Sequence, residues 1–145
     1  MAPLAALLAT TSLLAVLTAP LLPTAISASI YAVGSLVCHQ LPERSFHLGG
    51  FQLPVCARCV GIYCGAAIGA LGTVVTRPPG VARHARRILL LGALPTAITV
   101  VLESAGIWPT TNIARATAGF PLGLVAALVV TGALATINYR DKIPR

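Results

Sequence analysis

The sequence predicts an all-α integral membrane protein, a four-helix bundle with a short interfacial helix ahead of Cys38. Three observations carry that class. Of 145 residues, 57% are hydrophobic and only 9% charged, whereas a soluble domain carries about a quarter charged residues. Four apolar runs approach the ~20 residues needed to cross a bilayer core. Most of the ten Lys and Arg, set against three Asp and Glu, fall between or after those runs. A net charge of +7 raises nucleic acid as a partner in a soluble protein. Here the placement suits membrane loops instead, so the expected partner is the lipid bilayer, with no nucleic acid. Disorder and collagen-like repetition are excluded by the same composition. A single transmembrane domain is expected over residues 1–145.

Residues 4–22 form the first run, free of charge and just long enough to span. No Lys or Arg precedes it, so a retained helix is expected rather than a signal peptide. Pro20 and Pro23 end or kink it, since proline lacks an amide donor and clashes with the preceding turn. Residues 24–37 are apolar but too short for an ordinary span, and read as the interfacial helix. Residues 55–75 form the second span, with Gly61, Gly65 and Gly69 on one face. That spacing lets a neighbouring backbone approach closely, which drives helix association where the solvent is itself oily. The third span, 88–107, carries Pro95 and Glu103, and the fourth covers 116–137 with Gly119, Pro121 and Gly123. The glycine faces suit contacts within one chain or a homo-oligomer.

Arg77, Arg83, Arg86 and Arg87 follow the second span, and Arg140, Lys142 and Arg145 follow the fourth. By the positive-inside rule both groups are cytoplasmic, and one topology satisfies both. Both termini are then cytoplasmic, and residues 38–54 and the loop around Trp108 face outward. Trp108 and Tyr139 fall at opposite water boundaries, where amphipathic rings prefer to sit.

The chemistry-bearing residues gather in the outer segment. Cys38-His39-Gln40-Leu41-Pro42-Glu43-Arg44-Ser45-Phe46-His47 is followed by a Gly49-Gly50 turn, then Leu53-Pro54-Val55-Cys56-Ala57-Arg58-Cys59. Glycine adopts positive φ without steric cost, so the turn lets the Cys38 arm fold back on the next helix start. Cys56 and Cys59, three apart, share one side of a helix start. Free amides there, with Arg58 beside them, favour a thiolate, and a lowered thiol pKa is expected.

This constellation resembles the small bacterial membrane proteins grouped as domain of unknown function 2085. The resemblance rests on Cys38-His39-Gln40, Pro42-Glu43-Arg44-Ser45-Phe46, Gly50, Leu53-Pro54-Val55-Cys56-Ala57-Arg58-Cys59 and Gly61-Ile62-Tyr63. Thr111-Asn112, Arg115 and Gly119 add weaker support. It implies a bacterial inner-membrane protein with this signature and no settled activity. Family members carry an acidic residue shortly after the proline of the third span. Thr99 stands there in this chain, so no role transfers, and Glu103 one turn later is the nearest substitute.

Three functions compete for the cysteines. Cys38, His39, Cys56 and Cys59 offer the soft sulfur and imidazole ligands of a Zn or Cu site. Adjacent Cys38 and His39 do not readily converge on one ion, so three ligands plus water is the natural variant. Alternatively, Cys56, Cys59 and Cys38 perform thiol-disulfide exchange coupled to a quinone, by architectural analogy with small disulfide-forming membrane enzymes. Third, a disulfide from Cys38 to Cys56 or Cys59 staples a non-catalytic scaffold. Cys64 reads as a packing residue, His47 as loop surface and His84 as solvated among arginines.

Glu43, Arg44, Arg58, Glu103 and Arg115 share the outer end. Their expected role is salt bridging, Glu43 with Arg44 or Arg58 and Glu103 with Arg115, or the holding of an anionic ligand by the positive excess. No nucleotide-binding glycine loop, nucleophile elbow or His-Glu-x-x-His signature is present, so hydrolase and nucleotide-driven functions gain no support.

Overall fold

The structure is a computed structural model that describes residues 2–76 and 81–140. Arg77, Lys142 and Arg145, and the side chains of Tyr139 and Arg140, lie outside the described residues. The elements run α1 (Ala2–Thr18), α2 (Thr24–Ser35), β1 (Ser45–Leu48), β2 (Phe51–Cys56), α3 (Ala57–Thr76), α4 (Ala85–Ser104) and α5 (Asn112–Arg140). Four helical stretches are long and apolar enough to cross a membrane: Ala2–Leu21, Ala57–Thr76, Ala85–Ser104 and Asn112–Leu134.

In α1 the hydroxyls of Thr10, Thr11, Ser12 and Thr18 donate to carbonyls four residues back, at 2.7–2.8 Å. Each polar group is therefore satisfied within its own helix, as an apolar surrounding demands. The α-helix stops at Thr18 and tightens into a 3-10 turn over Ala19–Leu21 that contains Pro20, and Pro23 occupies the N-cap of α2. Helix α2 packs on β2 through Gly34, where an added Cβ would lie 2.4 Å from the Pro54 carbonyl oxygen.

Helices α3 and α5 form the tightest pair, with α1 flanking α3 and α4 flanking α5. A Cβ at Gly61 would sit 1.9 Å from the Ala116 carbonyl oxygen, and one at Gly65 2.1 Å from that of Phe120. In return, Gly119 and Gly123 lie against the carbonyls of Arg58 and Ile62. The glycine faces are thus spent on each other inside one chain, and a second copy would have to use another surface.

Two expectations need correction. The second span does not begin at Val55: residues 51–56 form a strand paired antiparallel with β1, and α3 starts at Ala57. Pro54 disfavours helical backbone at Leu53, and the buried run Leu53-Pro54-Val55 is drawn into the core as a strand. A small hairpin is thereby added to an otherwise helical protein, turned by Gly49 at φ 59° and Gly50 at φ 86°. The fourth span begins at Asn112, four residues earlier than expected, because the Thr111 hydroxyl accepts the Ala114 amide at 3.2 Å as an N-cap.

Val55, Pro54 and Ser45 are the largest fully buried side chains, so the densest packing lies beneath the hairpin. The helices meanwhile expose rows of Leu, Ile and Val, among them Leu7, Leu91 and Val101. Extended apolar exposure of this kind is what a lipid-facing surface requires.

Candidate functional site

One end of the bundle gathers the hairpin, the start of α3, the end of α4 and the start of α5. Three thiols meet there. Cys38 follows α2, its amide donating to the Gly34 carbonyl at 3.0 Å. Cys56 closes β2, and Cys59 lies in the first turn of α3. Their Sγ atoms all lie within 4.8 Å of one another, those of Cys56 and Cys59 being 3.6 Å apart. The Cys56 amide donates to the Cys38 sulfur at 3.1 Å. Cys38 is buried and the other two are half-buried; all four cysteines are free thiols.

Cys56 immediately precedes α3, so the backbone amides of Arg58 and Cys59 at the helix start favour its thiolate. With the remaining proton on Cys59, that thiol's hydrogen bond is the chief cause holding the Cys56 pKa down at about 5. Burial opposes the shift, and the two amides and the Cys38 thiol add to it. The lowered pKa expected from the sequence is present, although its main source is the neighbouring sulfur.

His39 is exposed and outside the sulfur trio. Cys64 packs against the same apolar core but also stays apart from the three. His47 and His84 are exposed, as their surroundings in the sequence suggest.

Two glutamines, not singled out from the sequence, set the position of the Cys38 loop. Gln40 adopts φ 51°, and its Nε2 donates to the carbonyls of Tyr31 at 2.8 Å and Pro54 at 2.7 Å. Gln52 returns a hydrogen bond from β2 to the Gln40 carbonyl, and the Tyr31 hydroxyl donates to the Gln52 carbonyl. The available signal was Gln40's place directly after Cys38-His39.

Beside the thiols, Glu103 receives three guanidinium groups. Arg115 Nη2 lies 2.6 Å from Oε1, Arg44 Nε 3.3 Å from Oε1, and Arg58 Nη2 3.3 Å from Oε2. Thr110 adds a hydrogen bond to Oε2 at 2.9 Å, and Asn112 Oδ1 accepts from Arg115 Nη1 at 2.7 Å. The expected Glu103–Arg115 pair is present. Glu43 is exposed and, among the described residues, joins no ion pair; its backbone carbonyl meets Arg115 Nη1 at 3.5 Å instead. Arg44 and Arg58 turn to Glu103 because the hairpin and the start of α3 bring both over the end of α4. Thr99 donates to the Thr96 carbonyl at 2.9 Å, an ordinary backbone contact.

These features define a helical membrane protein with a three-cysteine cluster next to an arginine-rich one. Residues 38–129 match the family described as predicted membrane protein, domain of unknown function 2085, and the chain belongs to that family. It is 32% identical over 106 residues to an uncharacterised protein of Methanocaldococcus jannaschii, covering 72% of this chain and 68% of that one. An uncharacterised protein of Methanothermobacter thermautotrophicus is 34% identical over 93 residues, covering 64% of this chain and 83% of that one. Both relatives are archaeal, so the bacterial association implied by the resemblance is not theirs. No solved structure matches.

Proposed function

We propose that this protein binds a thiophilic metal ion, Zn²⁺ or Cu(I), through Cys38, Cys56 and Cys59 at the outer rim of the membrane. The observation that carries this reading is the convergence of three sulfurs from three separate elements within 4.8 Å. Zn–S bonds of ~2.3 Å at tetrahedral angles put sulfurs ~3.8 Å apart. The Cys56–Cys59 separation of 3.6 Å is close to that figure, so the ion needs only small side-chain adjustments. The Cys56 sulfur, with its pKa held at about 5, is deprotonated at neutral pH and ready to bind. His39 is exposed and is left out of the ligand set, which leaves a fourth position for water or an incoming ligand, the pattern of an open site. The outward orientation rests on the basic residues at the opposite end of the bundle.

A second reading is favoured by one observation. A cleft of about 350 Å³ between α1 and α2 is lined mainly by apolar residues, with Ser12 and Ser29 among them, and its walls Val16, Val55 and Tyr63 also belong to the core around the thiols. A quinone ring could lie there while Cys56 and Cys59 form a disulfide. Two electrons from the sulfurs, the Cys59 proton and one proton from water would convert quinone to quinol.

Elemental analysis of detergent-purified protein, paired with thiol alkylation before and after reduction, tests both readings. About one metal ion per chain, protecting three thiols and lost in Cys38→Ser, is the result expected for the metal site. A metal-free protein whose Cys56–Cys59 disulfide is re-formed by quinone would replace it with the redox reading. A metal-free, exchange-resistant disulfide from Cys38 would overturn both.

A further inference from the structure

The arginine cluster carries more positive charge than the described residues supply counter-charge for. Arg44, Arg58 and Arg115 all converge on the single carboxylate of Glu103, a surplus of two positive charges. The guanidinium group does not deprotonate in proteins, so the surplus cannot be relieved by titration. The chain has only three acidic residues. Glu43 is exposed at the rim without an ion pair, and even if it is counted, the cluster stays positive. Asp141 lies outside the described residues.

A second observation points the same way. Among the described residues, Nε of Arg58 is buried and has no hydrogen-bond partner. A buried N–H donor without an acceptor costs ~1–3 kcal/mol, and it sits inside the same positively charged cluster. The polar neighbours are already committed: Thr110 donates to Glu103, Asn112 Oδ1 accepts from Arg115, and Asn112 Nδ2 donates to the Ser45 carbonyl at 3.0 Å. Access is open on one side, because the Arg44 side chain is 46% exposed while those of Arg58 and Arg115 are 18% and 10% exposed.

We propose that Arg44, Arg58 and Arg115 form a binding site for a phosphate group, with Glu103 holding the guanidiniums in place. Several guanidiniums around one opening match phosphate, whose oxygens accept paired N–H donors, better than a single carboxylate would. The depth fits as well, since the cluster lies at the end of the spans, where lipid phosphates are concentrated and where unneutralised charge is costly. The phosphate can come from a phospholipid headgroup or from free phosphate. This proposal does not depend on what the cysteines do.

The test uses the full chain and its sole tryptophan, Trp108, which lies in the loop between Glu103 and Arg115. Trp108 fluorescence and thermal unfolding are followed as inorganic phosphate replaces chloride at constant ionic strength. The same two readouts are compared in phospholipid-free maltoside micelles with and without added phosphatidylglycerol. Saturable fluorescence change and a raised Tm are expected in at least one arm. Arg44→Gln, which alters the most exposed of the three, should weaken the effect about tenfold, and Arg44→Lys by less. Circular dichroism matching the wild type serves as the folding control. A response to phosphate alone identifies free phosphate, and a response to phosphatidylglycerol alone identifies a headgroup. Either supports the site. No response in either arm, or an equal response from Arg44→Gln, overturns it.

Discussion

Arg115 in the first turn of α5 and Glu103 in the last turn of α4 face each other at 2.6 Å. Both are largely buried, and this contact closes the α4–α5 loop over the hairpin. Removing one partner of a buried pair leaves the other charge uncompensated, at a cost of ~3–5 kcal/mol. Glu103→Gln strands three guanidiniums at once, so its destabilisation should lie in that range. Arg44→Gln acts on a half-exposed partner and should cost about 0–1 kcal/mol. Thermal unfolding in detergent measures both, and equal losses would show that Glu103 has no central role.

The glycines divide into those that a neighbouring backbone occupies and those that face open space. A Cβ at Gly123 would meet the Ile62 carbonyl oxygen at 1.9 Å, while one at Gly72 meets nothing within 4 Å. Gly123→Ala therefore has to push α3 and α5 apart, and overpacking of this kind costs ~1–3 kcal/mol or more. Gly72→Ala only removes backbone entropy from a helix interior and should stabilise by ~0.5–1 kcal/mol. The two variants should shift Tm in opposite directions.

The four spanning helices were legible because hydropathy and length report them directly, and the glycine spacing announced which faces would meet. The strand over Phe51–Cys56 was not, because its apolar residues run without a break into those of α3, and periodicity does not separate a short buried strand from a helix start. Pro54 was the overlooked signal. Of the site, the meeting of Cys38 with Cys56 and Cys59 followed from the Gly49-Gly50 turn. His39, counted with the three cysteines as a ligand, is exposed and outside the sulfur trio; its adjacency to Cys38 had suggested three ligands plus water as the variant. The gathering of Arg44 and Arg58 onto Glu103 depends on where the hairpin and the α4–α5 loop finally settle, which residue spacing does not encode.

Reactivity at Cys56 should report the lowered pKa. In reduced, metal-free protein its alkylation rate should titrate near pH 5 and stay flat through neutral pH, since the thiolate is the reacting species. Cys59→Ala removes the main hydrogen-bond donor and should move the midpoint upward. The same shift links to stability. Because the folded pKa lies below the ordinary thiol value of 9.0, this group's contribution is fully present above 9, declines through the window below it, and is lost as pH falls through about 5. A Cys56 midpoint near the ordinary thiol range would remove the case for a preformed thiolate.

Gln40 offers a test of what holds the third sulfur in place. Its φ of 51° is a left-handed conformation that costs a non-glycine residue ~1–3 kcal/mol, and its side chain spans the gap to the carbonyls of Tyr31 and Pro54. Gln40→Gly relieves the backbone strain but deletes both amide contacts; Gln40→Asn tolerates the conformation with a shorter reach. If the side-chain contacts position Cys38, both variants should expose its buried sulfur to alkylation and weaken Zn²⁺ binding by about tenfold, even where Gln40→Gly leaves overall stability little changed. A protein altered at Gln40 that keeps Cys38 protected and its metal affinity intact would mean the loop is held by the Cys38–Gly34 backbone contact and the hairpin alone.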